Sequence, residues 1–202
     1  VATVTTPAQV CNVALLRVGQ RQLVDSLNDS SLQARTCKAI YASTRDGLLE
    51  KFAWPFATAR SPLALTASTR SGWAYTYRQP SNCLKPRYIW PGTRAPQAAS
   101  RIAFAQELDD NATGFLICTD QAEPELVYTA QIAIEALFPA LFVQALAWAL
   151  AVELCLSLPI KPQVALAMQA GLRQAQAEAI ASSARVGQED PEPDSEFVTI
   201  RG

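Results

Sequence analysis

The chain has 202 residues, half of them apolar and 17% charged, so it can bury roughly 70% of its unfolded surface without disulfide or metal, which excludes disorder for most of the chain. It contains no histidine, and this removes Ser-His-Asp hydrolysis, Cys-His proteolysis, His-ligated zinc or haem and histidine pH switching from within the chain. The net charge of −1 hides a segregated distribution: residues 1–50 carry +1, residues 51–106 carry +8 with no acid at all, and residues 107–202 carry −10.

Thr6 followed by Pro7 reads as an N-cap and a first helical residue. Pro7, Val10, Cys11, Ala14, Leu15 and Val18 then recur at spacings of three and four until Gly19 stops the pattern. Residues 1–6 carry neither the basic nor the apolar part of a secretory leader, so the protein is expected to stay where it is made. Asn28, Asp29 and Ser30 offer caps for a second helix, which turns Leu32, Cys37, Ile40, Tyr41, Thr44, Leu48 and Phe52 to one face. Pro55 disfavours helix in the residue before it, so this helix is expected to close at Ala53 or Trp54.

From residue 56 to 132 the helical period disappears and Pro and Gly punctuate the chain. Runs at 56–65, 73–78, 102–108, 115–119 and 126–131 read as strands. Trp73, Tyr75 and Tyr77 alternate with small residues, which predicts three aromatics on one sheet face, as core in preference to a base-stacking platform. The same stretch holds the acid-free cations Lys51, Arg60, Arg70, Arg78, Lys85, Arg87, Arg94 and Arg101. Such a zone either binds nucleic acid or faces the acidic zone of its own or another subunit, and complementarity within or between subunits is the expected use.

Residues 138–158 are almost uninterruptedly apolar and long enough to raise the question of a membrane span. Gln144 and Glu153 interrupt the run, much of it is weakly hydrophobic Ala, and no basic cluster sets an orientation. The expectation is the central helix of a bundle, with Trp148 buried in it. Pro159 and Pro162 separate it from a last helix at 163–185. After Gly187 the composition turns acidic and Pro-broken, ending in a β-prone Phe197, Val198 and Ile200. That end is either a partner-binding arm or a tail that packs back on its own subunit.

Cys11, Cys37, Cys83, Cys118 and Cys155 are widely spaced and form no CxxC pair, so they read as free structural thiols in a reducing compartment. No phosphate loop, dinucleotide fingerprint, nucleophile elbow or EF-hand loop occurs. The acid pairs Asp109-Asp110 and Glu123/Glu125 flank turns and read as solvated. No catalytic residue, metal or cofactor is expected, and the chain is read as a binding or structural protein and not an enzyme.

Four stretches carry a likeness. The opening stretch, residues 7–57, contains Gly19-Gln20 after a helix, Ser26-Leu27 before an acidic cap, Arg35 with Cys37 and Tyr41, and a Trp54-Pro55-Phe56 exit. GWAYTYRQPSNCL at 72–84 follows, and then ALAWALAVELCLSLPIKP with an Ala-rich helix. In this order they resemble the tail tubular protein A family, the head-to-tail adaptors of short-tailed bacteriophages. The resemblance implies a non-enzymatic virion ring, commonly of twelve copies, that docks on the portal, carries the tail tube or nozzle and surrounds the DNA path without sequence-specific binding. It would be assembled in the host cytoplasm and act in genome ejection. A neck or head-completion protein of a long-tailed phage is the alternative, and a DNA-binding regulator the alternative of another class.

The expected fold is α+β: a helical bundle from residues 1–55 and 133–186, a β-rich insert at 56–132 and an extended C-terminal arm at 187–202. Under this reading Phe197, Val198, Ile200 and Arg201 form a portal-binding arm. Arg70, Arg78, Lys85, Arg87, Arg94 and Arg101 form a zone for inter-subunit or tail contacts. The basic zone and the arm's end lie outside what the resemblance covers.

Overall fold

The structure is a computed structural model that describes residues 6–92, 102–158 and 161–185. Helix α1, Pro7–Arg17, starts on a capping box: the Thr6 hydroxyl accepts from the Gln9 amide, and the Gln9 side chain accepts from the Thr6 amide. It stops at Gly19, whose φ of +82° is open to glycine at no cost. There the amides of Gly19 and Gln20 turn back to the carbonyls of Leu16 and Leu15, a Schellman closure.

The connection to the next helix is held by one side chain, because the Asn12 amide both donates to and accepts from the backbone of Val24, each at 2.9 Å. Helix α2, Leu32–Lys51, takes its cap from Ser31, one residue later than expected. Asp29 is occupied instead with the amides of Asp25 and Ser26, and Asn28 with the Lys38 ammonium. Cys37, Tyr41 and Leu48 are buried as expected, but Leu32 is exposed, and Ala34, Arg45 and Leu49 take interior places.

The chain leaves α2 through an aromatic corner. Trp54 is buried, its indole N–H donating to the Leu48 carbonyl at 3.0 Å. Its ring lies edge-on to Phe52 and Phe142, while Phe56 meets both Phe138 and Phe142. Phe138 and Phe142 belong to the segment by which the chain returns to helix, so one cluster holds both ends of the intervening strands.

Those strands are β1 Thr58–Pro62, β2 Ala64–Leu65, β3 Tyr75–Arg78, β4 Cys83–Ile89, β5 Phe104–Leu108, β6 Phe115–Thr119 and β7 Glu125–Ala130. They form two antiparallel sheets, ordered β1-β7-β4 and β2-β3-β6-β5. β1 runs into β2 across the single residue Leu63, and on the other side Ile89 bridges to Ile102. Chain continuity at Leu63 and this single bridge bring the two sheets together as a small roll around Leu63, Tyr77, Ile89, Ile117, Leu126 and Tyr128.

Strand β4 was not expected, since it contains Pro86. It is accommodated because β4 pairs along its length only with β7, and its register slips between Cys83 and Lys85 and between Pro86 and Tyr88. The three alternating aromatics do not share a buried face either: β3 starts at Tyr75, Tyr77 points into the roll, Tyr75 is exposed, and Thr76 is itself buried.

Helix α3, Ala140–Ser157, buries a broad face, from Phe142 and Val143 through Leu146, Leu150 and Leu154, and leaves Leu141 and Gln144 exposed. It packs against α1, α2 and the last helix, α4 (Pro162–Arg185). α3 is long and apolar enough to cross a membrane, yet half of it is covered by these neighbours. Trp148 is only partly buried, at the rim of this core. The Arg17 guanidinium lies over its ring at 4.2 Å, and Arg17 also bonds the carbonyl and side chain of Gln144.

On α4, a Cβ added to Gly171 would stand 2.6 Å from the Trp148 ring. In an exposed helix Gly→Ala gains about 1 kcal/mol, but overpacking costs about 1–3 kcal/mol. Gly171→Ala is therefore expected to destabilise the protein by about 1 kcal/mol in urea unfolding. In a Trp148→Leu background the same substitution should become stabilising. A stabilising Gly171→Ala in the unaltered chain would show that α4 does not press on Trp148.

Candidate interaction surface

Among the described cations of residues 51–106, three are paired with acids. Arg60 pairs with Glu125 at 3.2 Å and lies over the Trp90 ring at 4.6 Å. Arg70 pairs with Glu107 at 3.0 Å and Asp110 at 2.9 Å, and also donates to the Leu108 carbonyl. Arg78 pairs with Asp109 at 2.6 Å. The acids all come from the stretch just after the basic zone, because antiparallel pairing folds β5, β6 and β7 back against β1 and β3.

Arg87 is used differently. Its guanidinium donates to the Thr129 hydroxyl and to the carbonyls of Glu50 and Phe52 at the end of α2. It thereby ties β4 to a helix C-terminus, where unpaired carbonyls favour a cation. Lys51 and Lys85 are exposed. Of the six cations assigned to partner contacts, Arg70 and Arg78 are thus each ion-paired, Arg87 caps α2, and Lys85 is exposed on β4. Arg94 and Arg101 lie outside the described residues, as do Phe197, Val198, Ile200 and Arg201.

Asp109 corrects the reading of the acid pairs as solvated, since its side chain is 5% exposed. It accepts from Arg78 and from both the hydroxyl and the amide of Thr113, within a turn whose Ala112 has a φ of +53°. Its neighbour Asp110 is open to solvent, as expected. The hydrogen bonds from Arg78, then those from Thr113, hold the Asp109 carboxyl well below its ordinary value.

Sequence reasoning also missed a buried polar group at the helical joint. The Tyr41 hydroxyl donates to Glu135 at 3.1 Å, and both residues are buried. Beside them buried Arg45 bonds Asp46, which accepts from Gln131. Burial first, then the Glu135 charge, raises the Tyr41 pKa. The only sequence signal was a charged residue on the apolar stripe of α2, three residues from Leu48. Cys11 and Cys37 meet thiol to thiol in the same core, and the hydrogen bond to Cys37 together with burial holds the Cys11 thiol protonated. Burial also pushes Cys83 up to about 11. Among the described residues no three His, Cys, Asp or Glu side chains group as metal ligands.

No family model matches the chain, and no curated protein matches it significantly.

A carboxyl whose pKa is lowered on folding contributes stability that is present above its unfolded value, near 3.8, and is lost as pH falls through the folded one. Asp109→Asn should therefore lower stability at pH 7 and flatten the decline of stability on acidification below pH 4. An unchanged acid limb in denaturant titrations would place Asp109 in solvent. Arg78→Glu, which sets a second carboxylate against buried Asp109, should unfold the roll before it affects any partner. Lys85→Glu should leave the unfolding midpoint unchanged.

Proposed function

We propose that this chain is a head-to-tail adaptor of a short-tailed bacteriophage, a structural virion protein that acts as one copy of a ring between portal and tail. In this reading residues 1–55 and 133–186 are the helical bundle, 56–132 the β-rich insert and 187–202 the arm that reaches the portal. The ring, of twelve copies in the family it resembles, carries the tail tube or nozzle protein and lets DNA pass through its lumen.

The observation that carries the proposal is where the quoted motifs sit. Gly19 closes α1, Cys37 and Tyr41 face the core from α2, and Trp54-Pro55-Phe56 forms the aromatic corner from which the roll departs. Motifs scattered along the sequence are thus the joints of one architecture, which gives each a physical reason to accompany the others. The internal pairing of Arg60, Arg70 and Arg78 is also in keeping with a DNA conduit. Many unpaired cations around a lumen would hold the duplex by counterion release and impede its passage.

Imaging of the protein mixed with purified portal rings should show a second, coaxial layer. Deleting residues 188–202 should leave urea unfolding unchanged and strongly reduce that layer, since repeated weak arms add their affinities around a ring. Absence of the layer with the full chain would refute the adaptor reading. An unaltered layer with the truncated chain would refute the role of the arm.

A further inference from the structure

Cys11 on α1 and Cys37 on α2 are paired across the helical core. Both are 0% exposed, and the Cys11 S–H donates to the Cys37 sulfur in the space between the two helices. The other three thiols belong to separate elements: Cys83 lies on β4 beside Arg87, Cys118 on β6 beside Thr76, and Cys155 on α3.

The contact falls where a link would matter. α1 and α2 each pack chiefly on α3 and little on each other. Between the two sulfurs the chain runs through residues 12–36, fastened by the Asn12 side chain to Val24. A covalent bond here would join the two helices that cover α3 on one side of the chain's excursion into a single piece. Closing a loop of this length restricts the unfolded chain more than the folded one.

We propose that Cys11 and Cys37 are a redox clamp, held by native packing ready to form one intramolecular disulfide that fastens α1 to α2 when the surroundings turn from reducing to oxidising. The step takes a small disulfide such as oxidised glutathione as its oxidant. The Cys37 thiolate attacks one glutathione sulfur and expels the other half as thiolate, which leaves a mixed disulfide. The Cys11 thiolate then attacks the Cys37 sulfur and expels the second glutathione. The two cysteines lose two electrons and two protons in all, and these leave on two molecules of reduced glutathione.

The hydrogen bond between the sulfurs assigns their roles. A donor beside Cys37 favours its thiolate and lowers its pKa, whereas Cys11, the donor and buried as well, is held protonated. Burial sets the conditions. Glutathione reaches neither sulfur in the closed bundle, so the disulfide forms while the chain folds or when α1 lifts from the core. The same burial keeps either thiol from being capped or overoxidised singly in the closed bundle. The clamp does not depend on the adaptor reading. In that reading the change of surroundings is the passage from host cytoplasm to free virion.

The test refolds the full, reduced chain from urea in a buffer of reduced and oxidised glutathione, quenches with acid, alkylates, and maps the peptides by mass spectrometry without reduction. One cross-linked product is expected, Cys11 to Cys37, lighter than the reduced chain by two hydrogens. It should exceed every other pairing by about tenfold or more, with Cys83, Cys118 and Cys155 carrying the alkyl label. In the same buffer under denaturing urea that preference should vanish, because the fold supplies the proximity. The purified product should unfold at higher urea than the reduced chain and revert with reductant. Cys11→Ala should abolish it with no substitute pairing.

A refolded chain that stays reduced, or a mixture of pairings, would overturn the proposal. So would a Cys11–Cys37 link that lowers the unfolding midpoint, since a bond that distorts the helices is not one the native packing holds ready. These outcomes are read on the unsubstituted chain and stand even if Cys11→Ala is unstable.

Discussion

A helix with almost no polar face has to be surrounded, and α3 imposes that requirement on the rest of the molecule. Its buried residues, from Ala145 through Phe142, Leu146, Leu150 and Leu154 to Ala151, take up well over half of its circumference, so one covering helix would leave apolar surface in water at about 25 cal/mol per Å². α1 and α2, made before the strands, and α4, made after them, supply the cover. The first and last parts of the chain are thereby one core. The strands between them become an excursion whose two ends must come together, and the cluster of Trp54, Phe56, Phe138 and Phe142 is where they do.

The excursion has its own core and settles its own charges. Its two sheets meet through the β1–β2 continuation at Leu63 and the Ile89–Ile102 bridge, around a shared set of buried residues. Arg60, Arg70 and Arg78 meet acids from 107–125 across neighbouring strands, so part of the segregation along the sequence becomes local pairing in space. Exposed pairs of this kind contribute little stability each. Their larger effect is on what the surface attracts, because three guanidinium groups that would otherwise draw polyanions are matched by carboxylates.

The parts that were legible in the sequence are those in which local chemistry and tertiary packing agree. Thr6, Pro7 and Gly19 bound α1 as their backbone preferences require, and the 115–119 run is β6 because Leu116, Ile117 and Cys118 are buried whichever way they point. Residues 140–157 were legible as a core helix, though not the rim position of Trp148, which depends on a glycine 23 residues away. β4 was hidden by Pro86, whose missing N–H is harmless only because of the register slips opposite β7. The aromatic alternation at 73–77 suggested a common face, but strand geometry begins only at Tyr75, and the edge of the roll leaves that ring outside. Asp109 looked like a solvated turn residue, and its burial follows from Arg78 and Thr113, contacts that no local pattern contains.

If α3 organises the molecule, then α1, α2 and α3 form one cooperative unit although the whole roll separates them in sequence. Native-state hydrogen exchange in low denaturant tests this most directly, because each amide reports the free energy of the opening that exposes it. Amides in the middle of α1 and α2 should merge with those of α3 into a single opening, with one free energy and one denaturant dependence. If α1 and α2 opened at distinctly lower free energy while α3 stayed protected, the two ends of the chain would not share a core, and the organising role of α3 would be contradicted.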